Sequence, residues 1–169
     1  MKRERDTHPV GCLVPRSVEG FSLVEVVIAI GVASFCLIAV LGLLPVGMKA
    51  NKDSSNQTTA AGLAMAIASD LKATPATTPA ISTNSTTYRL SIPPAGSAAT
   101  TSTLYLSEDG STNASASDFK SSYRATVTIT PPASGLKSAT AARILVTWPA
   151  TAAVSNASSL ENLIYLNRN

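Results

Sequence analysis

The stretch from Phe21 to Met48, FSLVEVVIAIGVASFCLIAVLGLLPVGM, constrains this chain more than any other feature, because Glu25 is its only charged residue. About 20 apolar residues rising about 1.5 Å each cross the hydrocarbon of a bilayer, so the run is long enough to span with length to spare. No other stretch stays apolar for that long, which excludes a multi-span protein and predicts one transmembrane helix over 21–48. The rest is different material: beyond residue 50 Ala, Ser and Thr dominate. The overall 45% apolar and 14% charged residues therefore average an apolar stem with a lightly charged outer part of thin core. Disorder throughout is excluded, since a low-charge chain with a net charge of +3 does not repel itself into solution.

Charge sets the expected orientation. Lys2, Arg3, Arg5 and Arg16 precede the run and only Lys49 and Lys52 closely follow it, which predicts a cytoplasmic N-terminus, with everything from Asn51 onward outside the cytoplasmic membrane. A cleaved secretory signal fits poorly. Its apolar region is about 7 to 15 residues and ends in a small-x-small site, whereas this run is longer and exits through Val46-Gly47-Met48-Lys49-Ala50. Cys12, in Val10-Gly11-Cys12, follows no apolar segment of the kind a lipoprotein site requires.

The entrance to the run reads Gly20-Phe21-Ser22-Leu23-Val24-Glu25-Val26, behind a polar, partly basic leader. Glycine lets a backbone enter a narrow protease cleft without a Cβ in the way. A carboxylate in an apolar helix costs about 2.5 to 3.5 kcal/mol near the bilayer centre and less toward the interface, so Glu25 is by default a functional residue. This junction resembles the cleavage and methylation motif of type IV prepilins and type II secretion pseudopilins, G-F-[ST]-L-[VIL]-E. The resemblance implies a leader over 1–20, cleavage between Gly20 and Phe21 by a membrane-embedded prepilin peptidase, and N-methylation of Phe21 by the same enzyme. It also implies that Glu25 acts in assembly, pairing with the α-amine of a neighbouring subunit's first residue. The partners it implies are that peptidase, other pilin or pseudopilin subunits, an inner-membrane assembly platform and the membrane itself. The leader departs from the pattern in its mixed charge: Glu4, Asp6 and Glu19 offset the basic residues, and Glu19 adjoins the cleavage site.

Within the run, Gly31, Gly42 and Gly47 are unfavourable in a helix, and Pro45 removes a hydrogen bond and is expected to kink or locally melt it. Past the run, Ala60, Leu63, Ala64, Ile67, Ala68 and Leu71 recur at three- and four-residue spacing, the apolar stripe of an amphipathic helix that extends the stem over 49–75. The polar stretch Asn51–Thr59 reads as a looser link between the two halves. Thr74-Pro75 ends the helix, and Thr77–Ser85 reads as a loop. Strands are expected at Thr86–Ile92, Thr103–Ser107, Tyr123–Thr130, Arg143–Trp148 and Leu160–Asn167, separated by Pro- and Gly-containing turns. The predicted fold is α+β: a long N-terminal helix on a small antiparallel sheet, with a β-rich head over 76–169, as in a pilin. Arg143–Trp148 is similar to the late Trp-ending strand of minor pilins and pseudopilins of the I and V types, and to a prepilin-like set of verrucomicrobial gene cassettes.

The inventory of reactive residues disfavours an enzyme. His8 is the only histidine and lies in the leader, so the rest of the chain has no imidazole base, no His metal ligand and no Cys-His pair. Glu108 and Asp109 adjoin in a turn and Asp118 is separate, which reads as solvated turn charge. The oxygen-rich stretch from Asp109 to Asp118 does not have the spacing of a defined Ca²⁺ loop. No metal, no cofactor and no nucleic-acid partner is expected, the last because no basic cluster follows the leader. Cys12 and Cys36 lie in the leader and the stem, so the head closes no disulfide, which within the resembled family favours a minor pilin or pseudopilin. The expected function is a structural subunit of a type IV pilus or secretion-type pseudopilus. The alternative is an uncleaved single-pass anchor that presents a binding module outside the membrane.

Overall fold

The structure, a computed structural model, describes residues 20–75, 81–135 and 138–167. One helix, α1 (Leu23–Ala73), precedes seven strands: β1 (Thr83–Asn84), β2 (Ser91–Ile92), β3 (Thr100–Leu106), β4 (Thr112–Asn113), β5 (Tyr123–Thr130), β6 (Thr140–Trp148) and β7 (Ser158–Leu166). The chain divides into two compact units, with the boundary between Gly47 and Met48. His8 and Cys12 lie outside the described residues.

In the first unit every described residue is exposed, including Leu23, Val27, Ile30, Leu37 and Leu44. The helix is long and apolar enough to cross a membrane. The expected local melting at Pro45 does not occur, because α1 runs through it as helix. Proline forfeits one i to i−4 bond, and the turns on either side keep theirs, so propagation continues across the gap.

In the second unit the same helix turns amphipathic. Ala60, Leu63, Ala64, Ile67, Ala68 and Leu71 are buried, the full stripe expected from their spacing. They join Val127, Ile129, Ile144, Val146 and Ile164 of the sheet in one core. Asn51–Thr59 is continuous helix rather than a looser link. Its polar side chains face solvent or bond locally, as Thr58 does to the Ser54 carbonyl at 3.0 Å. Its inner face is held by the Tyr123 hydroxyl, 3.3 Å from Asn56 Oδ1. At the C-terminus the Thr74 hydroxyl donates to the Asp70 carbonyl at 2.9 Å, satisfying one of the helix's last acceptors before Pro75.

The main sheet is antiparallel, in the order β4-β3-β5-β6-β7. β5 alternates buried and partly exposed residues along its length, with Tyr123, Ala125, Val127 and Ile129 facing α1. Its limits are those expected from strict apolar–polar alternation. β3 and β6 begin three residues earlier than expected, and β7 begins two residues earlier and ends one sooner, because ladder pairing extends past the apolar residues. The expected strand at Thr86–Ile92 is reduced to Ser91–Ile92, paired with Thr83–Asn84, which lies inside the segment expected to be loop. The backbone donors that would have made the longer strand are taken elsewhere. Thr87 and Tyr88 donate to the Asp70 carboxylate at 2.9 and 3.0 Å, and Leu90 donates to Ser85 Oγ at 3.0 Å. Arg89 takes a φ of 53°, which no strand accommodates.

Candidate functional site

The stem's entrance is built from four residues. Gly20 and Phe21 precede the helix, both exposed, and a Cβ on Gly20 would meet nothing within 4 Å. Neither packing nor a left-handed backbone therefore requires glycine at this position. A peptide bond in exposed, non-helical chain is one that a protease can engage, because it need not unwind a helix first. α1 starts at Leu23, and Val26 N–H donates to the Ser22 carbonyl at 3.2 Å, which makes Ser22 the N-cap and places Glu25 at the third helical position. Ser-x-x-Glu at these positions is the pattern of a capping box, and a carboxylate in the first turn complements the positive end of the helix dipole. The Ser22-x-x-Glu25 pattern stands in the sequence itself and adds to the charge argument for Glu25. Phe21, Glu25 and Ala29, together with Val26 and Ile30, line a shallow concavity of about 330 Å³ in which Glu25 is the only charged group.

The acidic turn residues are brought to separate tasks. Asp109 Oδ1 accepts from the Ser111 N–H at 3.0 Å and the Ser111 hydroxyl at 2.8 Å, and these bonds hold its carboxyl below the usual range. Asp118 Oδ1 accepts from the Lys120 N–H at 3.3 Å. Gly110 between them takes a φ of 85°, the left-handed turn position that favours glycine. Among the described residues no three His, Cys, Asp or Glu side chains come together as metal ligands.

A second site lies wholly in the second unit, and sequence reading did not find it. Lys52 and Asn56 from α1, Glu108 from the β3–β4 turn, Ser122, Tyr123 at the start of β5 and Trp148 at the end of β6 line a groove of about 350 Å³. The Tyr123 and Trp148 rings stand 6.3 Å apart, tilted by 54°. Burial, reinforced by the Glu108 charge, raises the Tyr123 hydroxyl above its ordinary value despite a bond to Thr59 that acts the other way. Neither Lys52 nor Glu108 is ion-paired among the described residues, whereas Arg143 and Glu161 close a two-point pair on the outer face at 2.6 and 2.9 Å. Trp148 is the only tryptophan in the sequence, the one signal that marked this end of the sheet beforehand. No protein-family model, no curated protein and no solved structure matches the chain.

Proposed function

We propose that this chain is a prepilin-like structural subunit, processed between Gly20 and Phe21 and assembled through its stem into a type IV pilus or a secretion-type pseudopilus. The observation that carries the reading is the conjunction at the stem's entrance. An exposed non-helical Gly20-Phe21 bond stands directly before a helix whose first turn holds Glu25 and whose apolar residues are exposed up to Gly47. So much exposed apolar surface needs cover, which a bilayer supplies before assembly and neighbouring stems supply afterward. Cutting at Gly20 leaves an ammonium on Phe21, and Glu25 of a neighbouring copy is the matching carboxylate. Pairing the two removes the cost of carrying either alone into apolar surroundings. The subunit's work is then mechanical, with the prepilin peptidase, an assembly platform and other subunits as its partners.

The test is the mass of the intact protein extracted from membranes that contain the peptidase. The expected species begins at N-methylated Phe21. A chain that keeps its leader would overturn this reading in favour of an uncleaved anchor carrying a binding module.

A further inference from the structure

The groove lined by Lys52 and Glu108 includes none of the residues at the stem's entrance, and it carries charges of both signs. A side-chain ammonium stands on the helix wall and a carboxylate on the β3–β4 turn opposite, both without an ion-pair partner among the described residues. A ligand that answers both carries a negative and a positive group. The Asn56 oxygen is engaged by the Tyr123 hydroxyl at 3.3 Å, which leaves its NH₂ to donate beside Lys52 to an anion. On the other wall, Glu108 and the Ser122 hydroxyl are oxygen acceptors suited to a cation that brings N–H donors. Half-buried Trp148, packed near Tyr123, offers a flat face to a short alkyl link and to the cation.

Depth along the chain supplies the second argument. The apolar run ends at Met48, and Lys52 follows four residues later, about 6 Å of helix rise. The headgroup layer on each side of a bilayer is about 5 to 7 Å deep. Tyr and Trp side chains concentrate at that depth because their rings are apolar at one end and polar at the other. We propose that the groove holds the headgroup of a phosphoethanolamine lipid from the leaflet at which α1 leaves the membrane, its phosphate at Lys52 and Asn56 and its ammonium at Glu108. The inference rests on reading the apolar run as a membrane span. A choline headgroup lacks the N–H donors that Glu108 and Ser122 accept, and a glycerol headgroup leaves Glu108 unanswered, so both bind more weakly.

Trp148, as the only tryptophan, reports on the groove directly. The full chain is placed in nanodiscs of phosphatidylcholine alone, or with a third of the lipid replaced by phosphatidylethanolamine or by phosphatidylglycerol. Trp148 emission is expected to shift to the blue with the ethanolamine lipid only, saturably with its fraction. Lys52→Gln and Glu108→Gln, both at exposed positions, are each expected to weaken that response about tenfold or more, the effect of one lost charge-assisted contact, with near-UV circular dichroism unchanged. Emission that does not distinguish the three discs overturns the proposal, as does a response that survives both substitutions. An equal shift from micromolar glycerophosphoethanolamine in detergent would assign the groove to a soluble ligand and overturn the lipid source. A chain that never enters the discs overturns the membrane reading and this proposal together, whereas one that enters without a Trp148 response overturns the proposal alone.

Discussion

Replacing Asp70 by alanine is expected to destabilise the head out of proportion to the size of the change. Asp70 sits in the final turns of α1, where the helix dipole disfavours negative charge, yet it is buried. It is tolerated because its carboxylate accepts the Thr87 and Tyr88 N–H groups at 2.9 and 3.0 Å and the Ser85 side chain as well. Desolvation pushes its carboxyl upward, and these bonds together outweigh that, so its pKa lies below the ordinary carboxylate value. A hydrogen bond to a charged group is worth about 1.5 to 3 kcal/mol, so the two backbone bonds alone account for about 3 to 6 kcal/mol at most. Thr87 is exposed and water replaces its lost partner, which brings the expected cost to about 2 to 3 kcal/mol. That is a large part of a typical stability of about 5 to 15 kcal/mol. The assay is urea unfolding of the full chain in micelles followed by Trp148 emission, comparing midpoints at unchanged slope. The sign of the pH dependence follows from the lowered pKa. Below the unfolded-state value of about 3.9 the unfolded chain binds the proton that the folded carboxylate still resists, so Asp70's contribution is full above that value and is lost as the pH falls through the folded-state value. The gap between wild type and Asp70→Ala must therefore narrow in acid. A loss under about 0.5 kcal/mol at neutral pH, or a gap that does not change with pH, would refute this account of the clamp.

Other substitutions probe the stem and the core. Glu25→Ala is expected to leave leader cleavage intact while lowering recovery of the subunit in sheared filaments, and recovery equal to wild type would make the carboxylate a bystander. Ile144→Ala removes a fully buried side chain from the middle of β6 and is expected to cost about 2 to 5 kcal/mol in the same urea assay. Gly110→Ala forces a Cβ onto a φ of 85°, with a cost of about 1 to 2 kcal/mol read as a lower melting temperature. Pro45→Ala restores a donor within α1 and is expected to slow amide exchange in that turn, with the head's urea midpoint unmoved.

The parts of this fold that were readable from the sequence are those where one element's own pattern decides the outcome. The limits of β5 follow from unbroken alternation between Tyr123 and Ile129, and the buried face of α1 follows from six residues at helical spacing. The misreadings share a different cause. Thr86–Ile92 has the composition of a strand, but its amides are claimed by Asp70 on a distant helix, and composition does not reveal a competitor for hydrogen bonds. Asn51–Thr59 looked loose because it is polar, although a helix already propagating on both sides needs little from its residues. The entrance to the stem stands out as a pattern in the sequence because Gly20, Phe21, Ser22 and Glu25 are neighbours in the chain. The groove was not, since Lys52, Glu108 and Trp148 come from three separate elements and meet only once the sheet has folded against α1.

Where α1 packs on the sheet, five of the core residues end in a single methyl group: Ala60, Ala64 and Ala68 on the helix, Ala125 and Ala142 on β5 and β6. The heat capacity of unfolding grows with the apolar area exposed and is reduced by polar exposure. A head rich in Ser and Thr, with alanine among its core residues, exposes less of the first and more of the second than one built on larger apolar side chains. Its stability curve is accordingly expected to be shallower and broader than that of a head built on larger apolar side chains, with little given up on cooling.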